Sequence, residues 1–571
     1  GEMTAITASD STSIFAESYF PNDNRMLLRA DGNGDEIDHL FVRALDGTIK
    51  DITPEKGAKS SFYGWSEDDK HLYYGSNKRD PRFFDVYKLS IDGYTSEMIY
   101  QNNDGLNYSG MSRDAHFFAL SKTMNTNDSD LFLYDVKTKE MTKMNENLSA
   151  NSAQDFSEDN STFYYTTDDG GEFSYLMSYD LNSKEKKKVI EKSWDIAGSG
   201  FTSKGKYMVV YTNEDGKNAI EVLDAKTMQP IDLPDFGDKS ITSVNFSDDE
   251  NWMRMYVGGS NSPSDLYTYH LVTKEQYKLT HVLNVDIDVE DLVTAKVIRF
   301  KSFDGTEIPA IYYLPHQASK DFKVPAMVWV HGGPGGQTRQ NFSSLIQYMV
   351  NHGYAVLAVN NRGSSGYGKT FYKMDDRNHG EKDLQDCVEG KNWLAGQPEI
   401  DGSKIGIIGG SYGGYMTMAA LTYTPEAFAV GVNLFGVTNW MRTLKSIPPY
   451  WESFRASLYL ELGDPYSADS VRLKQISPLF HTDKVTKPLI VLQGSQDPRV
   501  LQVESDEIVA GVRKNNVPVE YVLFEDEGHG FVKKENQIEA YRSILQFLDM
   551  YLKKEGLPVD GEAPKTEIES S

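Results

Sequence analysis

The 571-residue chain has a single cysteine, Cys387, which excludes an internal disulfide and any CxxC metal or redox site. That count fits a reducing and an oxidising compartment equally. No apolar run approaches the roughly 18–20 residues that cross a bilayer, and no signal-peptide pattern opens the chain, so membrane insertion is not expected. Positive charge is scarce: 58 Lys and Arg stand against 84 Asp and Glu, giving a net charge of −26. This balance argues against a nucleic-acid partner and against adsorption on anionic lipid. What is present, 39% hydrophobic and 25% charged residues, is the composition of a globular protein, and the length exceeds one ordinary core. At least two domains are therefore expected.

The first half repeats. Turn-like tetrapeptides begin at Pro21, Ser66, Ser112, Ser157, Ser203 and Ser247, with spacings of 45, 46, 45, 46 and 44 residues. Each precedes a strand-like run such as His71–Tyr74 or Thr162–Tyr165. A second run then ends in a polar turn, as Asp130–Asp135 does before Val136–Lys139. A period near 45 with several short strands per unit marks the blade of a β-propeller. One blade cannot bury both faces of its sheet, so the units must stack around an axis. Six blades are visible before residue 282, a seventh fits ahead of Gly1, and a β-sandwich with chance spacing is the alternative. From about residue 295 strands alternate with helices: strand-like runs at 326–330, 354–359, 405–408, 430–434, 489–492 and 519–524 flank helical patterns at 381–393, 415–421, 503–512 and 538–552. Such alternation predicts a doubly wound, mostly parallel sheet covered by helices. The expected division is a propeller over 1–282, an α/β domain over 283–555, and a disordered tail over 556–571 that is rich in Pro, Gly and charge.

Gly409-Gly410-Ser411-Tyr412-Gly413 reads G-x-S-x-G directly between an apolar strand and a helix-forming run. That context lifts a serine oxygen into the open as a nucleophile. A serine needs a base, and the base needs a carboxylate to orient it. In this strand order both should follow the serine, each just past a strand end. Asp497 and His529 occupy those places, and His529 is the only histidine after Asp497. Asp506 and Glu507 are rival acids, but they fall inside a helical run. Acyl transfer also needs donors for the oxygen that becomes negative. The glycine loop His331–Gly336 follows a strand and offers the Gly333 N–H, and the Tyr412 N–H follows the nucleophile. Trp440, Tyr450 and Trp451 lie where a specificity pocket forms, but such residues are more often core.

Two decoys compete. Gly363–Thr370 fits the phosphate-loop pattern G-x-x-x-x-G-K-T, which needs a helix starting at Lys-Thr; the residues that follow open a helix poorly. Asp31–Asp35 is like a calcium loop, but Glu36 replaces its glycine and Val42 its bidentate glutamate, so a turn between blade strands is expected.

His331–Pro334, Asn361–Gly368, Gly410–Tyr415 and Asp497–Val500 together resemble the prolyl oligopeptidase family. The nearest branch holds acylaminoacyl peptidases and bacterial dipeptidyl or oligopeptide hydrolases. The resemblance implies an α/β-hydrolase domain beneath a propeller, normally of seven blades, that restricts access. It implies a cofactor-free serine peptidase cleaving short peptides through an acyl-enzyme on Ser411. It also implies that Arg499, two residues after the acid, holds a substrate carbonyl. A dipeptidase of this family anchors the free amine with acidic propeller residues, which the sequence does not single out. A carboxylesterase or thioesterase using the same triad is the first rival, and a non-catalytic propeller scaffold with a relic hydrolase domain the second. Homo-oligomerisation stays open. The absent initiator methionine and the leader peptides of bacterial relatives lean towards a periplasmic or secreted protein.

Overall fold

A computed structural model describes residues 5–9 and 12–554; the tail expected over 556–571 lies outside the described residues. The first 280 residues form six small antiparallel sheets. In the first blade, Ile14–Tyr19, Met26–Ala30, His39–Arg43 and Ile49–Asp51 pair in sequence order. The other blades begin at Ser60, Asn107, Asn151, Asp195 and Ser240, and the fifth has three strands where the rest have four.

Period-two alternation explains why blades stack. In the strand Phe117–Thr123, Phe118 and Leu120 join a core with the second blade, whereas Ala119 between them joins a core with the fourth. In Tyr207–Glu214, Met208 and Val210 pack towards the fourth blade and Tyr207 and Val209 towards the sixth. Among the described residues no such buried cluster joins the sixth blade to the first. Phe15 and Tyr19 of the first strand stay 45% and 61% exposed.

The repeated turn has a chemical basis. Ser66, Ser112, Ser157 and Ser247 each donate from Oγ to the Asp two residues on, at 2.6 Å. The fourth residue takes a left-handed φ of 52–58° and donates its N–H back to the first. The fifth turn starts at Thr202, not at Ser203, with Gly205 in the left-handed position. Thr202 takes the serine's role there, and the serine that follows it shifts the apparent phase by one residue.

The second half is one eight-stranded sheet: β1 (Lys296–Lys301), β2 (Glu307–Tyr313), β3 (Val324–Val330), β4 (Ala355–Val359), β5 (Ile400–Gly410), β6 (Gly431–Leu434), β7 (Leu489–Gly494) and β8 (Val519–Phe524). Its order is β1-β2-β4-β3-β5-β6-β7-β8, antiparallel for β1-β2 and β2-β4 and parallel from β4 onward. Strands buried on both faces read as continuous apolar runs, and β4 is AVLAV with every residue buried. One layer of core lies under the helices Lys382–Ala395 and Tyr412–Tyr423, the other under Ser344–Asn351 and Lys534–Leu548. Three residues past the end of β4, Arg362 is 3% exposed and pairs bidentately with the fully buried Asp386 at 2.9 Å, and with Asp304 at 2.9 and 3.1 Å.

The propeller seats on the ends of the parallel strands. Asn213 meets Gln337 at 2.9 Å, Arg339 meets Asn218 at 2.6 Å and Lys373 meets Asp128 at 2.8 Å. A helix does begin at Lys369, against expectation, but it is one turn of four residues. Its Thr370 N–H and hydroxyl bind the propeller's Glu172 at 2.5 and 2.9 Å, and Lys369 pairs with Asp168. The glycine loop therefore serves the domain interface.

Candidate active site

β5 ends at Gly410, and the helix Tyr412–Tyr423 begins two residues later. Ser411 between them sits at φ 57°, ψ −118°, a left-handed conformation that costs a non-glycine residue about 1–3 kcal/mol. The surrounding glycines permit it. A Cβ on Gly413 would lie 2.1 Å from the Val330 carbonyl oxygen, so only glycine lets the helix pack this closely on β3.

The two partners arrive from the loops after β7 and β8. His529 Nε2 is 2.9 Å from Ser411 Oγ, and its Nδ1 is 2.7 Å from Asp497 Oδ2. Asp497 is 3% exposed, and its other oxygen accepts the Arg499 and Val500 N–H groups at 2.8 and 2.9 Å. With the proton on Nδ1 facing the carboxylate, Nε2 is left to accept from the serine. The rival acids lie inside the helix Gln502–Arg513, where Asp506 accepts from Tyr521 and Glu507 from Arg442.

Sequence reasoning missed the loop's brace. Glu527, 1% exposed, accepts the N–H groups of Val532 and Lys533 at 3.1 and 2.9 Å and the Asn536 amide at 2.8 Å, tying down the turn that carries His529. A second brace comes from the propeller. Gly34 packs so tightly on Gly528 that a Cβ on either would meet the other's backbone at 2.2–2.5 Å.

Gly333, Tyr412, Ser411 and His529 line one cavity of about 360 Å³. The Tyr412 N–H opens its helix and so has no acceptor within it. The rest of the wall is mostly apolar, from Val437, Trp440, Leu444, Phe454 and Leu458, with Thr443 and, from the third blade, Thr126. Trp440 thus serves core and cavity at once, and Trp451 lies at the rim beneath Arg499, 5.1 Å from ring centre to guanidinium. Arg499 also lines the cavity, but its Nε is bound to Glu36 of the first blade at 2.5 Å. Glu36 accepts from Tyr450 as well, at 3.3 Å. The loop expected to be a plain turn between blade strands is such a turn, and through Glu36 it also holds Arg499 at the cavity wall.

Beneath Tyr412 lies a buried polar cluster. The Tyr412 hydroxyl donates to Asp383, whose carboxyl burial pushes up to about 6. Burial alone would lower the His379 pKa, but Asp375 and Glu461 on either side hold it up at about 10. These three groups have the donor set of a cation site. As they stand, an imidazolium between two carboxylates offsets one of their two negative charges, with Nε2 3.0 Å from Glu461 and 3.4 Å from Asp375.

A serine on a strand-to-helix elbow, with acid and histidine following in chain order past later strands of a parallel sheet, defines an α/β-hydrolase. Residues 340–555 match the prolyl oligopeptidase family and residues 6–282 match the prolyl oligopeptidase N-terminal β-propeller domain. The chain belongs to the prolyl oligopeptidase family and is a serine-type peptidase. It is 30% identical to dipeptidyl aminopeptidase BIII of Pseudoxanthomonas mexicana over 95% of this chain and 81% of that protein. Dipeptidyl peptidase family member 6 of Caenorhabditis elegans is 27% identical over 93% and 78%. A puromycin-hydrolyzing peptidase of Mycobacterium tuberculosis shares the fold, with a TM-score of 0.81 at 19% identity over 96% of this chain and 87% of the other.

Proposed function

We propose that the chain hydrolyses short peptides at Ser411, with the propeller dividing from the catalytic domain near residue 282. The observation that carries this reading is the continuous contact from Ser411 Oγ through His529 to Asp497. Ser411 Oγ bonds to the scissile carbonyl carbon as its proton passes to His529 Nε2. The Gly333 and Tyr412 N–H groups hold the oxygen that becomes negative. As the C–N bond breaks, His529 gives that proton to the departing amine, and water then releases the acyl half by the same relay. Asp497 orients the imidazole throughout.

The apolar cavity beside Ser411 fits a large apolar side chain on the acyl side of the cut. Arg499 is placed to hold a peptide carbonyl once it shifts from Glu36. The names of the two relatives support release of dipeptides from a free amino end.

A fluorophosphonate probe is expected to label wild-type protein once and to leave Ser411→Ala unlabelled. Peptides with Leu or Phe before the cut should exceed those with Asp by at least about a hundredfold in kcat/KM, because burying an unpaired carboxylate costs several kcal/mol. In a size series, oligopeptides should be cleaved and folded proteins spared. Equal cleavage of both would remove the gating role of the propeller.

A further inference from the structure

The apolar cavity accounts for the acyl half of a peptide but not for the departing half. The group that protonates the leaving amine must touch its nitrogen, so the residue on that side of the cut lies against His529. His529 lines two cavities. One is the apolar cavity already described; the other, about 170 Å³, opens between the strand Ile14–Tyr19, the 31–36 loop and the loop that carries His529.

We propose that this second cavity is the leaving-group subsite and that it takes a basic side chain, Lys or Arg, on the residue just after the scissile bond. The proposal rests on the catalytic reading above.

Its size suits one side chain, well below the roughly 300–1,000 Å³ of whole small-molecule sites. Phe15 and Val532 line it and are 45% and 56% exposed, so they offer apolar surface to an aliphatic stem. Three carboxylates reach it, and two are already matched with cations. Glu36 holds Arg499, and Asp526 holds Lys533 at 2.5 Å. Asp31 has no ion-pair partner among the described residues; its oxygens accept only the N–H groups of Gly34 and Glu36, at 3.2 and 3.1 Å. Arg29 lies over the Phe15 ring, but Glu17 and Asp38 bind it at 2.7 Å each. The cavity therefore carries one uncompensated negative charge, which attracts an ammonium or guanidinium and repels a carboxylate.

The test uses internally quenched peptides that share one acyl half and differ only in the first leaving residue, Lys or Glu. A methyl ester of the same acyl half, whose leaving group is too small to reach the cavity, is measured beside them. Wild type should prefer Lys over Glu by about tenfold or more in kcat/KM, and Asp31→Asn should bring the two within about threefold. Phe15→Ala, at an exposed position, should lower the Lys peptide about fivefold relative to the ester. A Lys-to-Glu ratio near one in wild type, or one untouched by Asp31→Asn, overturns the subsite. So does a Phe15→Ala effect equal on peptide and ester. Ester hydrolysis that survives Ser411→Ala would overturn the catalytic reading itself.

Discussion

Replacing Ser411 by alanine is expected to lower kcat by roughly 10⁴–10⁶-fold on peptides and on matched esters, with KM little changed. Among the described residues, the Ser411 hydroxyl is the one serine oxygen within hydrogen-bond distance of His529 Nε2. What remains in the variant is the cavity and the Gly333 and Tyr412 N–H groups proposed to hold the carbonyl oxygen, neither of which supplies a nucleophile. The elbow geometry adds an internal control. Because residue 411 is held at φ 57°, Ser411→Gly should be as inactive as Ser411→Ala yet more stable by about 1 kcal/mol. Thermal unfolding of the two variants against wild type separates loss of chemistry from loss of fold. Near-native turnover by Ser411→Ala would end the assignment of the nucleophile.

The second large effect is on stability. Arg362→Met should destabilise the catalytic domain by about 3–5 kcal/mol, because it strands the Asp386 carboxylate in the interior. In a domain of this size that is a loss of roughly 6–20 °C in Tm. Asp386 is held by three groups: the Arg362 guanidinium, the Arg362 N–H at 2.9 Å and the Ser302 hydroxyl at 2.5 Å. Burial already raises its pKa despite the pull of Arg362. Without that pull the folded-state pKa rises further, so the folded form binds a proton more tightly than the unfolded form. The variant's deficit should therefore shrink as pH falls from 8 towards 5 and widen as it rises. Unfolding curves at pH 5 and 8 check this, and a deficit that does not vary with pH would show that packing, not charge, sets the cost.

The parts of this fold that repeat or alternate are legible in the chain, and the parts that depend on distant contacts are not. The blades announce themselves because four of the six hairpin turns re-use a serine, an aspartate and a left-handed residue at a fixed distance. The parallel strands announce themselves because burial on both faces makes them nearly continuous apolar runs, as in AVLAV and LIVL. Boundaries drift where those signals fade. β5 runs from Ile400, five residues before the apolar run starts, and the last helix covers Lys534–Leu548 before a wider turn at Asp549–Lys553. Ser411, Asp497 and His529 are readable because each follows a strand end in a known order. The segment around Trp440–Leu462 is not, since an apolar side chain facing a cavity looks the same in sequence as one facing a core. Glu36 is further out of reach: 463 positions separate it from Arg499, and nothing local marks a turn residue as a partner.

Gly34 and Gly528 meet backbone to backbone, with no space for even a methyl group between them. One consequence is mechanical. A roof that merely covered the cleft would lift away without disturbing the chemistry below, but here the first blade acts as a backstop behind the imidazole. A catalytic half severed from the propeller would keep its elbow, its acid and the Glu527 brace, yet its histidine loop would lose the support of Gly34. Swinging the two halves apart to admit a peptide would slacken the relay, and closing them again would draw it taut around the bound chain.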